Sequence, residues 1–181
     1  MIADFEGFGK IARLVRECVV TEKIDGTNAQ IYITEDGEAM RAGSRNRYIT
    51  PEADNHSFAR WVQEHATDLV AVLGPGRHFG EWWGCGIQRG YNQIDKHFSL
   101  FNVHRWGAVE LPDFLRVVPV LYEGVFDTGR IEGVLGDLRR DGSVAAPGFP
   151  FPEGIVIYHK AAGTLLKRTI EKDEEPKGRG R

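Results

Sequence analysis

A chain of 181 residues has the size of one domain, and its 41% hydrophobic content is enough to bury a core. The net charge of −3 excludes a polycation that coats nucleic acid regardless of sequence, although it leaves room for a local basic groove. No apolar run is long enough to span a bilayer and the N-terminus lacks a signal-peptide core, so a cytoplasmic, non-membrane protein is expected.

In chain order, Thr21–Thr34 reads as a strand, a tight Asp25-Gly26 turn and a second strand in which Ala29, Ile31 and Ile33 alternate with polar residues. Glu35–Gly37 makes a turn into a returning strand and a basic loop, "AMRAGSRNRYI". Pro51–Leu73 is the best helix, with Phe58, Trp61, Val62, His65, Leu69 and Val72 near one face and Gly74-Pro75 ending it. "RHFGEWW", "HFSLFNVHRW" and "VVPVLYEGVF" read as strands. Thr128–Arg140 reads as a helix capped by Asp127 or Thr128, and "EGIVIYH" and "TLLKRT" as final strands. From Lys172 the tail is charged and Gly-rich, and fraying is expected. Strands and helices follow no regular βαβ beat, which favours α+β with mainly antiparallel sheets. Cys18 and Cys85 lie in no metal-spacing motif and read as reduced thiols.

Five short segments place polar residues among apolar strands. They are Lys23–Asn28, Gly43–Arg47, Phe79–Trp82 running into "WGCGIQRGY", Glu153–Val156 and Leu165–Thr169. Lysine is scarce, at seven residues against 16 Arg, and usually stays hydrated on a surface. A lysine amine attacks only when deprotonated, which nearby cations and partial burial promote. Arg45, Lys167 and a divalent metal would be such cations around Lys23. The chemistry that fits is attack on a nucleotide α-phosphate with a positioned pyrophosphate. Glu81 and Glu153 are placed to hold a metal, its waters or ribose hydroxyls. Phe101 is the best ring to stack on a base. Each feature alone is weak: a lone KxDG is common, and strand-end glutamates are ordinarily solvated.

Order and spacing make the set specific. Together the segments resemble the covalent nucleotidyltransferase superfamily of ATP-dependent ligases and capping enzymes, and most closely RNA ligases of the RNA-ligase-2 type. "EKIDGTN" (Glu22–Asn28) is similar to motif I, "FGEWWGCGIQRGY" (Phe79–Tyr91) to motif III and the turn after it, and "FSLFNV" (Phe98–Val103) to motif IIIa. "PEGIV" matches motif IV and "LLKRT" approximates motif V.

The resemblance implies an ATP-grasp-like α+β domain over residues 1–170, with mainly antiparallel sheets flanked by helices and a nucleotide pocket between the sheets. Many relatives add a C-terminal domain, but after Thr169 only about a dozen residues remain, so a charged tail over 171–181 without a separate C-terminal domain is expected. By resemblance, Lys23 would form a lysyl-AMP with ATP, using Mg2+ or Mn2+. Glu22 would contact adenine through its backbone or side chain, Arg45 the ribose or phosphate, Glu81 the ribose hydroxyls and Phe101 the adenine face. Asn28 and Glu153 would position the metal, in part through water, and Lys167 would hold the α-phosphate. The implied partners are RNA or DNA ends carrying a 5′-phosphate and a 3′-hydroxyl, with an oligomer or partner protein as a further source of grip.

Two positions depart from the family pattern. Thr169 stands where motif V usually has a second lysine, and Asn102 stands where motif IIIa usually has Asp. DNA nick sealing, guanylyl transfer for capping, and a nucleotide- or RNA-binding module without turnover remain as alternative readings.

Overall fold

The computed structural model describes residues 3–171, 173 and 174; of the expected charged tail, Lys172 and 175–181 lie outside the described residues. The elements run β1 (Glu17–Lys23), β2 (Thr27–Ile33), β3 (Met40–Ser44), β4 (Tyr48–Ile49), α1 (Phe58–Glu64), α2 (Ala66–Leu73) and β5 (Gly76–Gly84). Then come β6 (Lys96–Leu100), α3 (Val103–Trp106), β7 (Leu115–Val117), β8 (Val120–Val125), α4 (Thr128–Asp141), β9 (Gly154–His159) and β10 (Thr164–Thr169). The strands form a four-stranded sheet, β10-β9-β1-β8, and a six-stranded sheet, β4-β3-β2-β5-β6-β7. Every strand pair is antiparallel except β6–β7. The α+β class with mainly antiparallel sheets and flanking helices is thus borne out.

Alternation gives each sheet one covered and one uncovered face. Ala29, Ile31 and Ile33 of β2 join Trp82, Phe98 and Leu100 in a core completed by Phe58, Val62, Leu69 and Leu73 of α1 and α2. Cys18 and Val20 of β1 join Ile155 and Ile157 of β9 against Ile131, Leu135 and Leu138 of α4. A third, smaller core contains Ile24, Trp83, Tyr91, Val118, Ala146 and Phe149. Ile24 and Val118 lie in the two segments where the chain passes from one sheet to the other, so this core fastens the sheets together.

Four expectations change. The strands flanking Asp25-Gly26 do not pair with each other: β1 begins at Glu17 and belongs to the small sheet, whereas β2 belongs to the large one. "VVPVLYEGVF" is likewise two strands in two sheets, divided at Val118-Pro119. Pro119 has no N–H to give a ladder, and its carbonyl accepts from the Glu22 N–H at 3.0 Å. The helix expected over 51–73 starts at Phe58 and divides at His65. Asp54 accepts from the Ala59 and Arg60 N–H groups and so satisfies its first turn. "NVHRW" is a helical turn rather than strand, because the Asn102 side chain accepts from the Arg105 N–H.

Gly26 sits in the first crossing, where a Cβ would lie 2.4 Å from the Trp82 carbonyl oxygen and 2.8 Å from the Trp83 Cβ. Both obstacles belong to the fixed β5 strand. Gly26→Ala is therefore expected to destabilise the protein by about 2–3 kcal/mol, measured as a lower urea midpoint. An unchanged midpoint would contradict the tight crossing.

Candidate active site

Lys23 is the last residue of β1, and its neighbour Glu22 points to the opposite face of the strand. The Glu22 side chain is buried, at 1% exposure. Its carboxylate accepts from Ser143 Oγ at 2.6 Å and from the Val144 and Ala145 N–H groups at 2.8 Å each. Burial pushes its pKa up, and these three bonds pull the other way. The Glu22 carboxylate thus faces the loop after α4 and not the uncovered face, which leaves the main chain for any contact with adenine.

Lys23 faces the uncovered side of the small sheet, where its Nζ donates to Glu153 Oε2 at 2.5 Å. Both side chains are largely shielded, at 18% and 7% exposure. Glu153 stands immediately before β9, which pairs with β1 so that Gly154 lies opposite Lys23. Asp25 does not pair with Lys23. Its carboxylate meets Arg89 Nε at 3.0 Å, and its N–H donates to Tyr91 Oη at 2.8 Å. Arg89 also donates to the Phe151 carbonyl at 3.0 Å, two residues before Glu153. The loop after β5 therefore ties the Lys23 side of the pair to the Glu153 side.

Tyr91 has φ of 51° and is fully buried between Trp83 and Phe149. A bulky residue in this left-handed conformation costs about 1–2 kcal/mol, which its ring packing and its bond to Asp25 offset.

Glu81 comes from the large sheet. Its carboxylate accepts from the Gly26 N–H at 3.1 Å and from Asn28 Nδ2 at 2.8 Å. Asn28 Oδ1 in turn accepts from Arg45 Nε at 3.0 Å. Burial lifts the Glu81 pKa to about 7, opposed by the bonds from Asn28 and Gly26 and by the charge of Lys23, and reinforced by the charge of Glu153. Lys23, Glu81 and Glu153 thus share one electrostatic site although they come from two sheets.

Register places Lys167 on the Lys23 face: Thr21, Val156 and Lys167 form one cross-strand row, and Lys23, Gly154 and Thr169 the next. The Lys23 and Lys167 Cα atoms are about 12 Å apart by strand spacing, so two extended lysines can reach one phosphate. Arg168 points to the other face, toward Glu132 of α4 and toward Asp173. It supplies no second cation beside Lys167. Phe101 is 41% exposed beside Phe79, whose carbonyl accepts from the Phe101 N–H. A cavity of about 410 Å3 lined by Arg60, Trp61, Cys85, Asp95 and Lys96 contains none of the expected site residues.

Among the described residues no group of three or more His, Cys, Asp or Glu side chains is arranged to hold a metal. Two buried carboxylates and an amide suit a divalent ion that keeps its waters and bonds substrate phosphates, rather than an all-protein cage.

Reading the sequence did not single out Arg89, Tyr91 or Ser143. The glycine-rich "GCGIQRGY" was the available signal for the first two. The partnership of Ser143 with Glu22, 121 residues away, had none.

The two sheets, each with an uncovered face, meet where Lys23, Glu81 and Glu153 come together. A family model described as RNA ligase matches residues 16–170, and the chain belongs to that family. Solved structures of the Naegleria gruberi RNA ligase share the fold. A mutant with ATP and Mn aligns at TM-score 0.64 and 18% identity, over 86% of this chain and 50% of that one. Another mutant with AMP and Mn gives TM-score 0.64 and 17% identity over 86% and 50%. The enzyme with PPi gives 0.61 and 19% over 84% and 49%. The chain therefore spans about half the length of these structures. A comparison with curated proteins found no significant match.

The raised pKa of Glu81 predicts a pH dependence of stability. The folded protein holds this proton more tightly than the unfolded chain, so the stability it carries is full below about pH 4.5 and declines as pH rises to about 7. The unfolding free energy of the wild type relative to Glu81→Gln is expected to fall by about 3 kcal/mol across that window. Parallel urea titrations at several pH values measure the difference, and parallel profiles would contradict it.

Proposed function

We propose that this chain is the adenylyltransferase domain of an ATP-dependent RNA ligase that works through a lysyl-AMP intermediate. The observation that carries the reading is the shielded contact between Lys23 Nζ and Glu153 Oε2, 2.5 Å apart at the junction of the two sheets. An exposed lysine of no function has no need of a buried carboxylate presented by another strand.

For attack, the Lys23 contact opens and Nζ gives up a proton, for which Glu153 is the adjacent acceptor. The Nζ–phosphorus bond forms at the α-phosphate of ATP, the bond to the bridging oxygen breaks, and pyrophosphate leaves. An oxygen of an RNA 5′-phosphate then attacks the adenylate phosphorus and frees Lys23. Finally a 3′-hydroxyl attacks the activated 5′-phosphate, making the phosphodiester and expelling AMP. Glu81 accepts from the ribose hydroxyls, Phe101 stacks on adenine, Arg45 contacts the ribose or phosphate, and Lys167 stabilises charge on the α-phosphate. Glu22 contributes main-chain contact to adenine. Glu153 and Asn28 would hold Mg2+ or Mn2+ through water, and the ion would offset charge on the phosphates.

Incubation with labelled ATP and Mg2+ or Mn2+ is expected to yield an adduct that survives denaturation. Lys23→Ala abolishes it, and Glu153→Gln slows its formation at least about 100-fold. GTP as donor is expected to give none. Wild type without an adduct would reject the mechanism and favour a binding module without turnover, and an adduct retained by Lys23→Ala would reject Lys23 as the nucleophile. Sealing of RNA, DNA and hybrid breaks in parallel measures the polynucleotide preference, and RNA is expected to lead.

A further inference from the structure

The uncovered face of the large sheet does not end at Glu81. Moving along it away from Lys23, the first row holds Asn28 and Glu81, with Arg45 of the turn after β3 bonded to Asn28, the second Gly43, Gln30 and Phe79, and the third Arg41, Tyr32 and Arg77. Tyr48 of the edge strand stands opposite Gly43. Gly43 has no side chain, and Gln30 fills the gap: a Cβ at Gly43 would lie 2.8 Å from Gln30 Cγ. Gln30 accepts from Arg77 at 2.7 Å, and Tyr48 Oη accepts from the same nitrogen at 3.3 Å. The Arg77 guanidinium lies over the Tyr32 ring at 4.9 Å, and that of Arg41 over Tyr48 at 5.4 Å.

Three properties make this face a binding surface. Its guanidiniums are pre-oriented by aromatic rings, and among the described residues neither Arg41 nor Arg77 is in an ion pair with a carboxylate. Its rings are open, with Phe79 51% and Tyr48 44% exposed. It is continuous with the nucleotide site, since Phe79 lies between Gln30 and Phe101. The acidic turn Glu35, Asp36 and Glu38 follows β2 and marks where an anionic strand would cease to be welcome.

We propose that this face grips a short single-stranded run of the RNA next to the end being joined, with Arg41 and Arg77 on its phosphates and Phe79 and Tyr48 under its bases. Guanidinium forks suit phosphate oxygens, and aromatic faces accept any base, so the grip is sequence-tolerant. The inference rests on the ligase reading and gives that site its polynucleotide track.

The test titrates a 5′-phosphorylated single-stranded oligoribonucleotide into the protein without ATP, at several salt concentrations. Arg41→Ala/Arg77→Ala is expected to weaken binding about tenfold and to lower the slope of log Kd against log salt by about 1.4, at about 0.7 per lost phosphate contact. Phe79→Ala is expected to weaken binding with an unchanged slope. Adduct formation from ATP is expected to stay within twofold in Arg41→Ala/Arg77→Ala. Unchanged RNA affinity and slope, with normal adduct formation, would overturn the proposal and leave this face to a protein partner. Lack of an adduct on the wild type would fail the ligase reading separately, while the RNA titration would still judge the face. If the double variant loses its thermal transition, Arg41→Gln and Arg77→Gln singly carry the same measurement.

Discussion

Successive side chains of a strand point to opposite faces, and in β1 this places Glu22 and Lys23 back to back. Glu22 is held beneath the loop after α4 by one hydroxyl and two main-chain donors. A slip of one residue would bring the lysine inward and the carboxylate outward, so register here is strongly specified. With the strand fixed, Lys23 has one well-placed partner, Glu153, presented by the strand next door. A shielded ion pair of this kind is weak evidence for stability, because desolvation offsets much of the attraction, whereas removal of one partner leaves an uncompensated charge. Its value here is positional: it holds an amine and a carboxylate together where two sheets meet.

The second dependency is the junction itself. The chain passes between sheets at 24–26 and at 118–119, and both passages contribute to the small core around Trp83 and Tyr91. Arg89 and Tyr91 then fasten the first passage from the side. Through this packing Glu81 of the large sheet feels the charges of Lys23 and Glu153. A nucleotide bound between the uncovered faces, as proposed, would touch groups from both sheets, and the candidate residues are accordingly dispersed from position 22 to position 167.

Much of this was legible in the sequence because it is local. Alternation in "TNAQIYI" identifies β2, Asp127 caps α4, and the segments around Lys23, Glu81 and Glu153 do converge. Sheet membership is not local. Nothing in "TEKIDGTN" says that its two strands pair with different partners, and Pro119 is the sole break in "VVPVLYEGVF". The departure at Thr169 is also resolved only by register. Arg168 stands between Lys167 and Thr169 in sequence, yet its neighbours on β9 put it on the α4 side. Asn102, which stands where motif IIIa usually has Asp, caps a helical turn.

In the proposed ligase one amine, that of Lys23, receives the adenylate. Proteolysis of the protein after reaction with ATP, followed by tandem mass spectrometry under conditions that preserve phosphoramidates, tests it directly. AMP on the peptide containing Lys23, fragmenting to that side chain, is the predicted result. AMP on Lys167 or on any other residue would contradict the account.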